Sequence, residues 1–507
     1  MEPAVLEIGA RALTPEDVEA VARGGSVQLA PAARDRMARA RGVVEAMVAA
    51  GRPLYGVTTG VGILCSVPIS AADAQALQHN IVRSHAAGVG PALPDPSVRA
   101  IMFLLAAALA RGHSGVRPVV VETLLAMLVR GVHPVIPEQG SLGASGDLAP
   151  LAHLALVLMG EGEATHRGAR LPGAEALARA GLAPVVLEAK EGVALINGTH
   201  LMAGLGCLFL LEAERLAAVA DVAGALTLEA LRGTDQAFHP RLHRLRPHPG
   251  QVASADHLRR LLAGSGRVAQ GAYPRIQDPY SLRCMPQVHG ATRAALAHLR
   301  EVLAVEINSV TDNPLVFPEN DEVISGGNFH GQPLALALDY ATIATAELAS
   351  ISERRIARLV NPAHSGLPPF LVEGAGLHSG YMVAQYTAAA LVSENKVLCH
   401  PASVDSIPTS ADQEDHVSMG ASAARKALRV LAHSQQVLGV ELVLAAQAID
   451  FGEGPLGRGT AAAYHAVRSV LPRLTADRVV ADDLAAGAEL VRSGAVLAAA
   501  SAALASA

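Results

Sequence analysis

The chain has 507 residues, with 40 Lys and Arg against 46 Asp and Glu, so its formal net charge is −6. This balance offers no basic footprint for a nucleic acid or an anionic membrane, and it favours a small molecule as the partner. Hydrophobic residues make up 51% of the chain and charged residues only 17%, which is typical of a folded protein with a large core. The low share of charge also predicts that some surface is buried between subunits.

Cysteine is scarce, and its spacing forms no CxxC pair. The four cysteines are Cys65, Cys207, Cys284 and Cys399. Neither a disulfide framework nor a thiolate metal site is indicated, and a reducing cytoplasm fits. The N-terminal residues lack the basic and apolar regions of a signal peptide, so we expect no secretion. Apolar stretches such as Leu201 to Leu211 are shorter than the roughly 18 residues of a membrane span, and we therefore expect a soluble, cytoplasmic protein.

Frequent Gly and Pro divide residues 1–200 into short segments, which predicts a compact, loop-rich N-terminal domain. Helical patterns run from Ala74 to Ala87 and from Ser97 to Ala110, whereas Gly192 to Ile196 is a candidate for a short strand. Residues 201–507 carry longer helical patterns and predict a second domain, made of a long-helix bundle and a C-terminal helical region. Because no repeated βαβ pattern occurs, the predicted fold class is mainly α.

The long helical patterns follow one another in the second half of the chain. They run over Leu201 to Arg232, Pro286 to Asn308, Pro333 to Val360 and Ser418 to Ile449. The first stops at Gly233, as expected for a glycine just past a helix end. The last carries apolar residues at spacings of three, four and seven, and much of its length is apolar on both faces. Such a helix is predicted to be buried within a bundle or an oligomer.

The segment from Gly140 to Leu151 carries the most chemical information. Gly143 and Gly146 allow the backbone to fold back sharply, since glycine reaches dihedral angles that other residues avoid. A tight turn could bring the Gly146 nitrogen onto the carbonyl carbon of Ala144. Attack there with loss of two waters, one from the Ser145 side chain, would give a methylidene-imidazolone ring with an electrophilic carbon.

Three other interpretations of this tripeptide exist. An isolated Ala-Ser-Gly indicates an ordinary glycine-rich loop with an exposed serine. A serine-hydrolase elbow requires G-x-S-x-G, which residues 143–147 do not match, and no strand is evident before them. A phosphate loop requires Gly-Lys-Ser/Thr, which does not follow. The twelve residues around the tripeptide decide between these interpretations and the electrophile.

Gly140 to Leu151 resembles the signature of the aromatic amino acid ammonia-lyases and aminomutases, and the resemblance extends from about Tyr55 to Ile449. It implies a mainly helical fold with an electrophile-bearing N-terminal domain and a central bundle of long helices. It also implies a methylidene-imidazolone made from Ala144, Ser145 and Gly146, with no external cofactor. The family assembles as a homotetramer whose active sites combine residues of three subunits.

The resemblance assigns roles to further residues. Tyr55 lies in a segment similar to the family's mobile inner loop, where the tyrosine is a proposed acid or base, and Asn197 in the segment that supports the electrophile's oxygen. Phe329 matches an aromatic residue that lines the pocket. Read alone, the two aromatic residues indicate packing, and Asn197-Gly198 indicates a turn.

Three more matches fall within residues 277–283, at Gln277, Tyr280 and Arg283. Arg283 can hold the substrate carboxylate in bidentate geometry, which suits a guanidinium group. Read alone, it would indicate a surface ion pair. Gln277 is expected to bind substrate, and Tyr280 is a candidate for proton transfer.

Two positions predict the substrate. Ser84-His85 resembles the selector pair of the family members that act on histidine, although some aminomutases also carry Ser-His. Glu414, next to Gln413 in the predicted pocket, is generally lacking in the phenylalanine and tyrosine enzymes. A carboxylate can pair with an imidazole, whereas a buried charge against a phenyl ring is costly. The alternative is that Glu414 is the acidic first turn of the following helix.

The residues therefore predict elimination of ammonia from histidine to give urocanate, with Tyr55, Tyr280 and Glu414 as candidates for proton handling. A tyrosine or phenylalanine ammonia-lyase or 2,3-aminomutase remains the first alternative, and a helical scaffold without chemistry the second. The stretch from His239 to Pro249 is rich in histidine. Its prolines and arginines, with no acidic residue, argue against a metal site, and none is predicted.

Three positions depart from the family pattern: Asp412 replaces the usual Asn, and Met285 and His289 replace the common residues. They could tune the pocket or its packing, and they leave the histidine prediction unchanged.

Overall fold

The computed structural model describes residues 5–268 and 276–506. Helices dominate these residues, which confirms the predicted mainly α class. In chain order they are α1 Pro15–Ala22, α2 Pro31–Ala49, α3 Ala74–His85, α4 Asp95–Leu109, α5 Pro118–Arg130, α6 Leu148–Leu158, α7 Gly173–Arg179, α8 Glu191–Ile196, α9 His200–Ala230, α10 Pro240–Leu245, α11 Pro249–Leu261, α12 Tyr280–Arg283, α13 Met285–Glu306, α14 Gln332–Val360, α15 Pro362–Ser365, α16 Met382–Leu398, α17 Gly420–Ile449, α18 Arg458–Arg468, α19 Val480–Arg492 and α20 Ala495–Ala505. Short 3-10 turns occur at Gly62–Ser66, Gln236–Phe238 and Pro369–Leu371.

The strands are three or four residues long and form small separate sheets. They are β1 Leu6–Ile8, β2 Val27–Leu29, β3 Val89–Ala92, β4 Val132–Pro134, β5 Pro137–Gln139, β6 Glu163–His166, β7 Ala169–Pro172, β8 Leu315–Phe317 and β9 Glu322–Ile324. β1 and β2 pair in parallel, whereas the pairs β3-β5, β4-β6, β6-β7 and β8-β9 are antiparallel. These ribbons brace loops between helices and form no continuous sheet.

The described chain divides into two compact units. The first comprises Met1–Leu208, Leu299–Asp339 and Pro401–Arg425, and the second Phe209–His298, Tyr340–His400 and Lys426–Ala507. All nine of the strands given above belong to the first unit. After residue 208 the two units alternate along the chain, so they are not the same division as the predicted domains 1–200 and 201–507. Those domains stay a prediction.

Each helix predicted from periodicity is present within a few residues of its expected bounds, but the strand expected over residues 192–196 is wrong. This segment is the helix α8, and its six residues are all buried. A short apolar run does not distinguish a strand from one and a half turns of buried helix. Here the helix packs closely on α3, since a Cβ atom on Gly192 would lie 2.5 Å from the Gln78 carbonyl oxygen.

The end of α9 also differs in detail from the expectation. Arg232, not Gly233, takes the left-handed conformation, with φ of 50°. The Gly233 nitrogen then donates to the Leu228 oxygen at 2.8 Å. Glycine is needed at 233 for space, because a Cβ atom there would lie 2.9 Å from the Leu228 side chain.

Among the described residues, α14 is long and apolar enough to cross a membrane, as is the bent pair of α19 and α20 if it is counted as one span. In α14, 61% of the apolar window is buried inside the structure. That burial is typical of a helix in the core of a bundle.

A buried ion pair joins long helices within the second unit. Arg355 of α14 and Glu441 of α17 are both fully buried, and the Arg355 Nη2 lies 2.7 Å from the Glu441 Oε2. The carboxylate also accepts hydrogen bonds from Ser352 at 2.6 Å and from Thr227 of α9 at 2.7 Å. The charged groups are thus fully partnered, so this cluster fixes how the three helices pack.

Glu441→Gln is expected to lower the free energy of unfolding by about 3–5 kcal/mol, because it leaves the Arg355 charge buried without a partner. The control is Glu394→Gln, which removes the exposed pair with Arg429 and should cost less than about 1 kcal/mol. Chemical denaturation of both variants provides the measurement. Equal losses would contradict the role given to the buried pair.

Candidate active site

The Ala144-Ser145-Gly146 tripeptide lies in a tight turn just before α6. The Gly146 nitrogen donates to the Gly143 oxygen at 3.2 Å, and these two glycines form an isolated antiparallel bridge. Ser145 has φ of 49°, a left-handed conformation that costs free energy in a residue with a side chain. The backbone therefore folds back at the serine, as the electrophile hypothesis requires.

Two close approaches explain the glycines on either side of the turn. A Cβ atom on Gly146 would lie 2.1 Å from the Gly198 oxygen, and one on Gly143 would lie 2.3 Å from the Ser418 Oγ. The turn is also tied to Gly198, whose nitrogen donates to the Ser145 oxygen at 3.1 Å. The Asp147 nitrogen in turn donates to the Gly198 oxygen at 2.8 Å. Residues 143–147 and 197–198 thus form one rigid piece of backbone.

Asp147 anchors this turn to the start of α9, a role that was not predicted from the sequence. Its side chain is fully buried, and Oδ2 accepts from the Leu201 and Met202 nitrogens at 2.9 and 3.1 Å. Burial raises the pKa of Asp147 to about 7, against the lowering effect of these two donors. An aspartate directly after the tripeptide and before two helices was the available signal, because carboxylates cap helix N-termini.

Asn197 is held on the other side of the turn by a buried ion pair. Its Nδ2 lies 3.3 Å from the Asp312 Oδ1 and 3.0 Å from the Asn313 carbonyl oxygen. The Asp312 Oδ2 accepts from the Lys190 ammonium at 2.6 Å, and both ionic side chains are at most 4% exposed. Lys190 and Asp312 could not be predicted from the sequence, since a lone Lys and a distant Asp carry no signal of pairing.

Two neighbouring cavities, of about 480 and 260 Å³, open beside the turn within the first unit. They share the lining residues Tyr55, Gly62, Ser145, Asn197 and Glu414. The larger cavity adds the predicted residues Ala144, Phe329 and Gln413, and the smaller adds His85. The structure therefore brings most of the predicted site residues of this unit into one place.

Within the segment that resembles the family's inner loop, the Tyr55 hydroxyl oxygen accepts a hydrogen bond from the Gly62 nitrogen at 2.9 Å. Burial raises the pKa of Tyr55, and the nearby Glu414 charge raises it further. The phenol is accordingly neutral near pH 7. The loop is also joined to the 410 segment, since the Ile63 nitrogen donates to the Ser410 Oγ at 3.2 Å.

Glu414 lies in a tight hairpin, and the alternative that it begins the following helix is wrong. Thr409 and Glu414 exchange two backbone hydrogen bonds, of 3.0 and 3.2 Å, and the Thr409 hydroxyl donates to the Glu414 Oε2 at 2.9 Å. Helix α17 begins only at Gly420. The hairpin turns through left-handed residues, among them Asp412 with φ of 65°. Asn and Asp both tolerate this conformation, so the departure at 412 preserves the turn.

Ser84 and His85 end α3 with different exposures. The His85 Nδ1 lies 2.8 Å from the Ile81 carbonyl oxygen, which can only accept, so Nδ1 carries the hydrogen. His85 then offers Nε2 to the smaller cavity, which it lines. Ser84 is exposed and donates to the same Ile81 oxygen at 3.1 Å, outside the lining of both cavities.

The three predicted residues of the 277–283 segment belong to the second unit and line neither cavity. Tyr280 is 71% exposed, and the Arg283 guanidinium carbon lies 4.6 Å from its ring centroid. The Arg283 Nε is buried without a hydrogen-bond partner among the described residues. Gln277 is exposed. Their part in the site stays a prediction.

The chain belongs to the aromatic amino acid lyase family, whose sequence model matches residues 13–469. Within that family, it is 57% identical to the histidine ammonia-lyase of Symbiobacterium thermophilum over 97% of this chain and 98% of that protein. It is also 57% identical to the histidine ammonia-lyase of Anaeromyxobacter sp. strain K, over 95% of this chain and 97% of that protein.

Solved structures of this fold include two with similar scores and different activities. The histidine ammonia-lyase from Trypanosoma cruzi has a TM-score of 0.91 and 42% identity, covering 99% of this chain and 96% of that one. The tyrosine aminomutase from Streptomyces globisporus has a TM-score of 0.94 and 42% identity, covering 98% of each chain. These likenesses confirm the ammonia-lyase-like fold.

His200, at the start of α9, generates a pH prediction. Its ring lies against Gly198, is 5% exposed, and has no hydrogen-bond partner at either nitrogen among the described residues. Burial lowers the pKa of His200 from 6.5 to about 3. Below about pH 6.5, His200 therefore binds a proton in the unfolded chain but not in the folded protein. The free energy of unfolding accordingly falls as the pH falls towards 3.

His200→Leu should remove this contribution, which amounts to about 2 kcal/mol between pH 6.5 and 5. Unfolding of the wild type and the variant at several pH values measures the difference. The exposed His465→Leu is the control and should leave the pH dependence unchanged. A parallel pH dependence in the wild type and His200→Leu would show that His200 does not carry the effect.

Proposed function

We propose that this protein eliminates ammonia from L-histidine to give trans-urocanate. The observation that carries the proposal is that Glu414 and Ser145 both line the two neighbouring cavities. A carboxylate there suits an imidazole and would be poorly matched to a phenyl ring. The 57% identity to histidine ammonia-lyases supports the same substrate, whereas the structural likeness alone also includes a tyrosine aminomutase.

We infer that Ala144-Ser145-Gly146 forms the methylidene-imidazolone, with no external cofactor. The left-handed Ser145 and the close approaches at Gly143 and Gly146 fit this group. Such a group supplies a strong electrophile that activates the amino group of the substrate for departure. The Gly198 N–H donates to the Ser145 oxygen, which is the oxygen that a ring built from these three residues retains as its carbonyl.

The other groups of the cavity have roles that follow from their chemistry. Glu414 holds the imidazole, and His85 offers an acceptor nitrogen at the end of the smaller cavity. Neutral Tyr55 can hold or pass a proton through its hydroxyl. Tyr55, Glu414 and Tyr280 all remain candidates for the group that removes the β-proton.

We further infer a homotetramer in which Gln277, Tyr280 and Arg283 serve the cavity of a neighbouring subunit. A guanidinium group can hold a substrate carboxylate in bidentate geometry, which is the role that the family resemblance assigns to Arg283. Exposed apolar residues on one helix also support association: Leu336, Tyr340 and Ile343 of α14 are 52%, 52% and 42% exposed. A cytoplasmic location suits the four cysteines, none of which forms a disulfide within the described part of the chain.

Ser145→Ala is expected to abolish ammonia release from histidine and to leave a chain at its full sequence mass. The wild type should be lighter by two waters, since ring formation removes both from the tripeptide. Intact-mass measurement and an ammonia assay give the two readouts. The exposed Ser469→Ala is the matched control, and it should remain both active and lighter by two waters. Full activity in Ser145→Ala would exclude the self-made electrophile.

Glu414→Gln should lower kcat/KM for histidine roughly 10- to 100-fold, because a hydrogen bond to a charged group is worth about 1.5–3 kcal/mol. The loss of two waters should persist, which separates substrate recognition from ring formation. Glu319→Gln changes an exposed glutamate of the same unit and should behave as the wild type. Unchanged histidine turnover in Glu414→Gln would remove the reason for choosing histidine.

A further inference from the structure

The Asn197 amide has a fixed polarity. Its two N–H groups point at the Asp312 Oδ1 and the Asn313 carbonyl oxygen, at 3.3 and 3.0 Å. Both of these atoms can only accept, because Asp312 is paired with the Lys190 ammonium and a peptide carbonyl carries no hydrogen. Turning the amide over would place its oxygen against two other oxygens. The surroundings therefore permit one orientation only.

In that orientation the Oδ1 of Asn197 has no hydrogen-bond partner among residues 5–268 and 276–506, while Asn197 lines both cavities. The side chain consequently offers the cavity an acceptor. The family resemblance places Asn197 in the segment that supports the electrophile's oxygen, and that support needs a hydrogen-bond donor. In this chain that donor is the Gly198 backbone N–H, at 3.1 Å from the Ser145 oxygen.

Asp312 is built to hold this arrangement. Its Oδ1 accepts from the Asn197 amide and, at 2.6 Å, from the Asn313 nitrogen, while its Oδ2 accepts from Lys190 at 2.6 Å. Asp312 is 4% exposed and Lys190 1% exposed, so neither charge is screened by water. Lys190 precedes α8 in a left-handed conformation, with φ of 77°, and this backbone strain favours a specific role.

We propose that Asp312, neutralised by Lys190, is a positioning residue that turns the Asn197 Oδ1 towards the cavity, where it accepts an N–H of the substrate's amino group. The inference rests on the proposed function, because it assigns a binding partner to the group that is eliminated. Asn197 then binds the amino group of the substrate, and the Gly198 backbone N–H binds the electrophile's oxygen.

The test compares two ligands that differ only in the amino group, L-histidine and 3-(imidazol-4-yl)propionate. Binding is measured by calorimetry on Ser145→Ala protein, so that neither turnover nor the electrophile contributes. This protein should prefer histidine by roughly tenfold or more, as expected for a hydrogen bond from a charged donor. Asn197→Leu should bring the two affinities close together, with little change for the propionate.

Asp312→Asn should reduce the preference as strongly as Asn197→Leu, and the double variant should reduce it no further. Lys190→Gln with Asp312→Asn removes both charges together, so that neither is left unpaired, and should give the same result. The matched control is Glu191→Gln, which breaks a second ion pair at the start of α8, between the buried Glu191 carboxylate and the half-buried Arg117. It should lose stability and keep the full preference for histidine.

Retention of the preference in Asn197→Leu would overturn the acceptor role, and retention in both Asp312 variants would overturn the positioning role. If neither Asp312 variant folds, Asp312→Glu keeps the charge and moves it, and the preference must then fall. Failure of the proposed function appears separately, as absence of urocanate from the wild type. The ligand pair is then the amino acid that the wild type consumes and its deamino analogue.

Discussion

The structure of the site depends on the backbone contact between the Ser145 turn and Gly198. Two hydrogen bonds, Gly198 N to Ser145 O at 3.1 Å and Asp147 N to Gly198 O at 2.8 Å, leave no space for a side chain on Gly146. This contact holds Ser145 in a conformation that it would otherwise avoid. It also fixes where Asn197 stands relative to the tripeptide.

Buried acidic side chains surround this contact, and each has specific hydrogen-bond partners. Asp147 takes two N–H groups at the start of α9, and Asp312 takes Lys190 and the Asn197 amide. Unpaired charges at such depth would be very costly, so the pairs are retained only where the geometry is well satisfied. In return, each carboxylate fixes the orientation of its neighbours, because their N–H groups must point at its oxygens.

Sequence patterns predicted the fold better than they predicted the local backbone. The long helices α9, α13, α14 and α17 show their period over many turns, so their bounds were close. α8 is too short for a period to emerge, and its six buried residues read equally well as a strand. At the end of α9 the left-handed residue is Arg232 and not the glycine, and Gly233 instead packs closely on the Leu228 side chain.

The site residues that the sequence singled out were those with a recognisable local motif. Tyr55, Ala144, Ser145, Phe329 and Glu414 lie in such motifs, and all five line the larger cavity of the first unit. Lys190 and Asp312 are separated by 122 residues and meet only in the fold. No local pattern could have paired them, and the same holds for the orientation of an amide.

Incubation of the purified wild-type protein with L-histidine, L-tyrosine and L-phenylalanine in parallel is the most direct test of the central claim. Each product has its own ultraviolet absorbance, and ammonia release provides an independent reading. The account predicts urocanate and ammonia in equal amounts from histidine, with little or no product from the other two amino acids. Coumarate, cinnamate or a β-amino acid as the main product, with histidine left intact, would contradict it.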